Sequence, residues 1–143
     1  MTDTEEENGW KALKAGGFMA RIGPLLSARQ DDGSFVYALE TGEDHANALG
    51  LIHGGVITGL VDQTIALVAW HAAGKAPVVT VQMETRFVES AKPGARLEAK
   101  AQVRRVTGSL MFVDAEVTED ENTIALATAV MKIVRKGGRD AGQ

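Results

Sequence analysis

At 143 residues and a net charge of −4, the chain has the size of one domain that can bury a core without staples, and it has no general attraction for nucleic acid or anionic membranes. It contains no cysteine, which excludes a disulfide framework and a thiol nucleophile. The opening MTDTEEENGW lacks the basic-then-apolar profile of a signal peptide, so a cytoplasmic location is expected.

Residues 1–16 read as an acidic N-terminal segment, frayed at first. Within it a short helix is expected from Asn8 as cap to about Lys14, closed by Gly16 and Gly17. A single domain is expected over residues 17–135. Gly23-Pro24 breaks its first stretch, a strand is expected over 24–29, and Asp31-Asp32-Gly33 is a turn signal. Phe35, Tyr37 and Leu39 then alternate with Val36, Ala38 and Glu40, which completes a hairpin.

The run from Asn47 to Gly74 is the centre of the chain. On a helical wheel Val56, Ile57, Leu60, Val61, Ile65, Leu67 and Val68 form one broad apolar arc. The opposite arc is small or uncharged (Thr58, Gly59, Gln63, Ala66, Ala69, Trp70), with Asp62 in its middle. A helix carrying so little charge expects cover on most sides. It is not a membrane span, because Asp62, Gln63 and the Gly54-Gly55 pair interrupt it and strand-like segments follow.

Gly74 and Pro77 stop the helix. Four strands are expected after it. The first covers 78–89, with Val79, Val81, Met83, Thr85 and Phe87 on one face, and the second covers 96–106, with Leu97, Ala99, Ala101 and Val103 facing in. After a turn at Thr107, Gly108 and Ser109 come 110–118, a second turn, and 123–134, apolar enough for a central strand. Residues 136–143 read as a loose tail. The fold expected is α+β: an antiparallel sheet wrapped around one long helix, with a second subunit covering the strip that carries Asp62.

The string Asn47-x-x-Gly50-x-x-His53-Gly54-Gly55, with Asp62 nine positions after the histidine, resembles the signature of hotdog-fold acyl-CoA thioesterases of the PaaI type. The resemblance spans about Gly17 to Val134. It implies a hotdog fold, homodimers paired into dimers of dimers, and hydrolysis of an acyl-CoA without a metal or any cofactor beyond the coenzyme A of the substrate. Residue by residue, it implies that Asp62 is general base or nucleophile and that the Gly54 N–H polarises the thioester carbonyl. Asn47 and His53 would shape that end of the site, and Thr80 would help to position water.

Elementary chemistry agrees with these roles. Thioester hydrolysis needs a polarised carbonyl, an oxygen base or nucleophile, and donors for the developing oxyanion. A helix N-terminus supplies unpaired N–H groups, and glycines such as Gly54 and Gly55 let substrate approach. Gly54 and Asp62 lie eight residues apart, roughly 12 Å along a helix, so each site is expected to join Asp62 of one subunit to Gly54 of the other. The coenzyme A phosphates call for basic or N–H-rich surface, for which Arg104, Arg105, Thr107, Gly108 and Ser109 form one candidate group and Ser90 with Lys92 another. As alternating strand residues, Arg104 and Arg105 are expected on opposite faces.

Other readings stay open at this level. Asp62 could be a structural group, and His53 a cap rather than a proton carrier. His45, His53, His71 and Asp44 fit no common metal-ligand spacing, and Asp44 with His45 is expected in a mobile loop. A non-catalytic acyl-CoA-binding hotdog is the main alternative. A hydratase or dehydratase is disfavoured because its Asp-x-Asn-Pro-x-His string is absent. Aryl-acetyl, other aromatic and medium-chain acyl groups are equally compatible.

Overall fold

The buried stripe of the long helix organises the molecule. The structure, a computed structural model, describes residues 9–134. In chain order the elements are β1 (Lys11–Ala12), α1 (Gly17–Ile22), β2 (Leu26–Arg29), β3 (Phe35–Glu40), a 3-10 turn (Glu43–His45), α2 (Gly54–Ala72), β4 (Val78–Phe87), β5 (Arg96–Thr107), β6 (Leu110–Glu119) and β7 (Asn122–Ile133). The acidic run before Asn8, Asn8 itself and the tail 136–143 lie outside the described residues.

All seven strands pair antiparallel in one sheet, in the order β1-β2-β3-β5-β6-β7-β4. The sheet wraps α2, the hotdog arrangement expected from the sequence. Val56, Ile57, Leu60, Val61, Thr64, Ile65 and Ala69 form the buried stripe of α2. They pack with Leu97, Met111, Val113, Val117, Ile124 and Met131, each at most 1% exposed. The stripe is rotated from the expected arc. Leu67 and Val68 are only half-buried, while Thr64 and Ala69 are fully enclosed. Thr64 enters the core because its hydroxyl donates to the Leu60 carbonyl one turn back (2.8 Å), so no polar group is left unmade.

Two expectations about local structure are overturned by long-range pairing. The short helix exists, but at Gly17–Ile22. Lys11 and Ala12, expected to be helical, instead pair with Ser27 and Leu26, and the Arg96 guanidinium lies 4.5 Å over the Trp10 ring. Ladder bonds and a cation–ring contact to distant residues outweigh a helix of barely two turns, which is marginal alone. The helix ends at Gly23, whose N–H donates to Met19 O (2.8 Å). A Cβ there would come within 2.7 Å of both Leu25 N and Met19 O, so only glycine fits.

The second correction concerns β4. Strict alternation puts Val79, Val81 and Met83 on one face, and the structure does not. A bulge between Thr80 and Gln82 shifts the register on β7, so that Val78, Thr80 and Met83 oppose the inward-facing Ile133, Met131 and Ala129. Val79, opposite Lys132, is displaced from that face and is 49% exposed. The β2–β3 hairpin forms as expected. Asp32 accepts from the Ser34 hydroxyl (2.6 Å) and N–H (2.9 Å), which hold its carboxyl below the usual carboxylate range.

Leu60 is 0% exposed at the middle of the stripe. Leu60→Ala is expected to lower stability by about 3 kcal/mol, the range for a large-to-small core change, as read by urea denaturation.

Candidate active site

The loop entering α2 is held by one side chain. Asn47 Oδ1 accepts from the N–H groups of Leu49 (2.9 Å) and Leu51 (3.0 Å), while its own N–H donates to Leu51 O (2.7 Å). The tight reversal this creates puts Gly50 at φ +80, in the left-handed region. His53 follows as N-cap with extended backbone, and its Nδ1 accepts from the Gly55 N–H (2.8 Å). Nδ1 is thereby an acceptor and Nε2 carries the ring proton. Of the two roles left open for His53, capping is the one the geometry displays.

The two glycines differ. A Cβ on Gly55 would lie 3.0 Å from His53 Nδ1, so a side chain there would crowd the capping ring. A Cβ on Gly54 would meet only the Phe87 ring at 3.4 Å, an ordinary contact, so the chain's own packing does not require glycine at this position. No atom of the described residues accepts from the Gly54 N–H. The first helical N–H is therefore an unused donor beside a half-exposed aromatic ring. Sequence reasoning did not place Phe87 here. It ends β4, and only the return of β4 past the start of α2 shows it.

Asp62 lies on the same helix, two turns further on, and is exposed in the single chain. Thr80 Oγ1 donates to Asp62 Oδ1 (3.1 Å). The β4 bulge makes this contact possible, since it turns Thr80 to the helix side. Thus Thr80 and Asp62 form one group, and Asn47, His53, Gly54, Gly55 and Phe87 form another. Eight residues of rigid helix, roughly 12 Å, separate Gly54 from Asp62.

The candidate coenzyme A residues also divide. Ser90 and Lys92, both exposed, flank Ala91, whose carbonyl accepts from the Ile52 N–H (2.8 Å); they adjoin the Gly54 end. Thr107, Gly108 and Ser109 form the β5–β6 turn beside Ile133, which pairs with Val78 at the opposite end of β4. Within one chain the two groups lie roughly 30 Å apart along the strand. The expectation that Arg104 and Arg105 face opposite ways is corrected by a bulge between Val103 and Arg105. Arg105 pairs with the outward Phe112, and Arg104 reaches the outward Gln102 (3.1 Å) and Asp114 (3.6 Å), so both lie on the outer face. Arg105 makes no ion pair among the described residues.

The three histidines do separate jobs. His45, expected in a mobile loop, is fixed on both sides. Its Nδ1 accepts from Gly42 N–H (2.9 Å), so the proton on Nε2 donates to Ile22 O (2.8 Å). His71 stacks on Phe35 at 5.2 Å.

A family model described as "Thioesterase superfamily" matches residues 49–126, just over half of the chain, a span that holds His53, Gly54, Asp62 and Thr80 but not Asn47. The chain belongs to the thioesterase superfamily. Human acyl-coenzyme A thioesterase 13 is similar to it, 28% identical over 118 residues that cover 82% of this chain and 84% of the relative. A mutant of the phenylacetic acid degradation protein PaaI from Thermus thermophilus superposes with a TM-score of 0.73 at 26% identity, covering 82% of this chain and 98% of that one. The BH2602 protein of Bacillus halodurans, solved with CoA, shares the fold: TM-score 0.75 at 22% identity, covering 92% and 85%. As a member of this superfamily the chain is a thioester hydrolase. Among the described residues, no helix of this thioesterase is long and apolar enough to cross a membrane.

The N-cap geometry makes a stability prediction. His53→Ala is expected to cost about 1 kcal/mol, and His53→Asn, which restores an acceptor at the cap, to recover most of it, by thermal or urea unfolding.

Proposed function

We propose that this thioesterase hydrolyses acyl-CoA at sites shared between two subunits of a homodimer, with Asp62 of one and the Gly54 N–H of the other acting on the same thioester. The observation that carries the reading is the Thr80–Asp62 hydrogen bond, which fixes an exposed carboxylate by one oxygen and leaves the other for chemistry. The unused N–H at Gly54, where the chain's packing would accept a side chain, supplies the matching donor. The acyl-CoA substrate class is carried over from the named human relative and from the CoA-bound Bacillus neighbour.

In the hydrolytic step, Asp62 takes a proton from water as its oxygen adds to the carbonyl carbon. The negative charge on the carbonyl oxygen is held by the Gly54 N–H at the positive end of α2. Collapse expels the thiolate of coenzyme A, and the proton on Asp62 returns to it. Asp62 as nucleophile gives the same products through a mixed anhydride that water then cleaves. Thr80 orients the carboxylate in either route.

The edge strand β4 supports the shared arrangement. Among the described residues it pairs only with β7, and Val79, Val81 and Phe87 stand about half exposed along it. A second copy meeting this edge covers that apolar surface next to Thr80, as a monomeric protein would otherwise not leave it. Pairing of dimers into a tetramer remains part of the proposal. For the coenzyme phosphates, Arg105 is the better candidate than Arg104, whose charge already faces Asp114.

Asp62→Asn is expected to fold and to lose about 10²–10⁴-fold in kcat, the usual contribution of a positioned base. Gly54→Pro removes the donor at a helix position where proline is favoured, after a His53 backbone already at φ −62, ψ 136; about 10²–10³-fold is expected from loss of an oxyanion donor. Co-refolded in equal amounts, the two dead variants should regain about a quarter of wild-type activity, because heterodimers hold one intact site of two. No recovery would sink the shared site, and normal turnover in Asp62→Asn would remove Asp62 from the chemical step. Separately, Arg105→Glu is expected to raise KM for acyl-CoA more than Arg104→Glu, by steady-state kinetics.

A further inference from the structure

α1 is an unusual helix for so small a domain. None of its residues is buried, and Phe18 at its start is 62% exposed. Its seat is nevertheless specific. A Cβ placed on Gly59 of α2 would lie 3.0 Å from the Phe18 ring and 3.1 Å from Ile22 Cδ1, so α1 lies across the helix at the one position there without a side chain. Ile22 is fastened in turn by the His45 ring, whose Nε2 donates to its carbonyl (2.8 Å). The strip of small residues on α2, expected to be covered by a second subunit, is therefore occupied at Gly59 by the chain's own α1.

Gly59 precedes Asp62 by three residues, about 4.5 Å along the axis and about 60° round it. Phe18 thus holds one edge of its ring on α2 while most of the ring stays uncovered, next to the carboxylate proposed to act on the thioester. An acyl group whose carbonyl carbon sits at Asp62 must extend from that point. Phe18, exposed and seated at Gly59 one turn before Asp62, offers apolar surface on the α1 side. From the Gly54 side, Phe87 is the corresponding aromatic, packed at the helix start.

We infer that Phe18, seated on Gly59, walls the acyl pocket beside Asp62 and sets how bulky an acyl group can be accommodated there. This rests on the acyl-CoA reading above and adds a specificity residue to it. Phe18 touches the acyl group and takes no part in the chemical step. Removing the ring enlarges the pocket. A methyl on Gly59 lifts the ring off α2 into the acyl space and narrows it.

The test is a ratio: kcat/KM for phenylacetyl-CoA and decanoyl-CoA, each divided by that for acetyl-CoA, in the wild type, Phe18→Ala, Phe18→Leu and Gly59→Ala. Phe18→Ala is expected to raise at least one ratio by about tenfold or more, the scale on which apolar pockets discriminate. Phe18→Leu should fall between it and the wild type, and Gly59→Ala should lower the same ratio. Because Phe18 is exposed, its variants are expected to fold, which circular dichroism checks. If the wild type turns over acyl-CoA and both Phe18 variants leave every ratio unmoved, the wall is wrong while the thioesterase reading stands. If Phe18→Ala instead changes the oligomeric state on size exclusion at unchanged ratios, the ring belongs to a subunit contact and the inference falls. A wild type that releases thiol from none of the three substrates overturns the acyl-CoA reading, and this inference with it.

Discussion

The packing of α2 against the sheet fixes the positions on which the rest of the structure depends. Seven of its nineteen residues are enclosed, and they hold it as one continuous rod against the sheet. A rod of that kind cannot bring its own first turn and its third turn to one small functional group. The distance between Gly54 and Asp62 is therefore a rigid property of the fold. The shared site proposed above follows from that rigidity more than from any single contact.

The sheet supplies a second constraint through its irregularities. Without the bulge in β4, Thr80 would face away from the helix and Asp62 would have no partner within the chain. Without the bulge in β5, Arg104 and Arg105 would be divided between the faces. Both bulges leave the surrounding ladder intact. Each redirects one or two side chains toward the places where polar chemistry is useful, as bulges commonly do beside functional sites.

Local hydrogen bonding decides what each polar group is free to do. His53 is committed through Nδ1 to the Gly55 N–H, Asn47 to two loop N–H groups, and His45 to both of its neighbours. Their role is to hold the loop and the helix start still. What they leave uncommitted is the Gly54 N–H and one oxygen of Asp62, and a reaction that needs a donor and a base can use that pair. Preorganisation of this kind lowers the cost of reorienting dipoles when charge develops on the substrate.

Much of this was legible in the residues alone. The 3.6-residue period of the helix, the alternation in 35–40 and 96–106, the turn chemistry at Asp31-Asp32-Gly33 and the Asn47 to Asp62 spacing are local patterns, and local patterns are set by backbone geometry that each segment carries with it. They determined the α+β class, the long helix and the cluster of polar residues at its start. The rest was decided by pairings between distant segments, which leave no periodic trace. Lys11–Ala12 became a strand only because β2 was there to receive it, and Thr80 turned inward only because β7 imposed a register with an extra residue. Phe87 reached Gly54, and Phe18 reached Gly59, through the closing of the sheet and the return of α1 over α2. A single chain's sequence names the groups that can do chemistry. Which of them share a face, and which are already spent on holding one another, is settled by the register and packing of the folded chain, where contacts across dozens of residues outweigh the small energies of local preference.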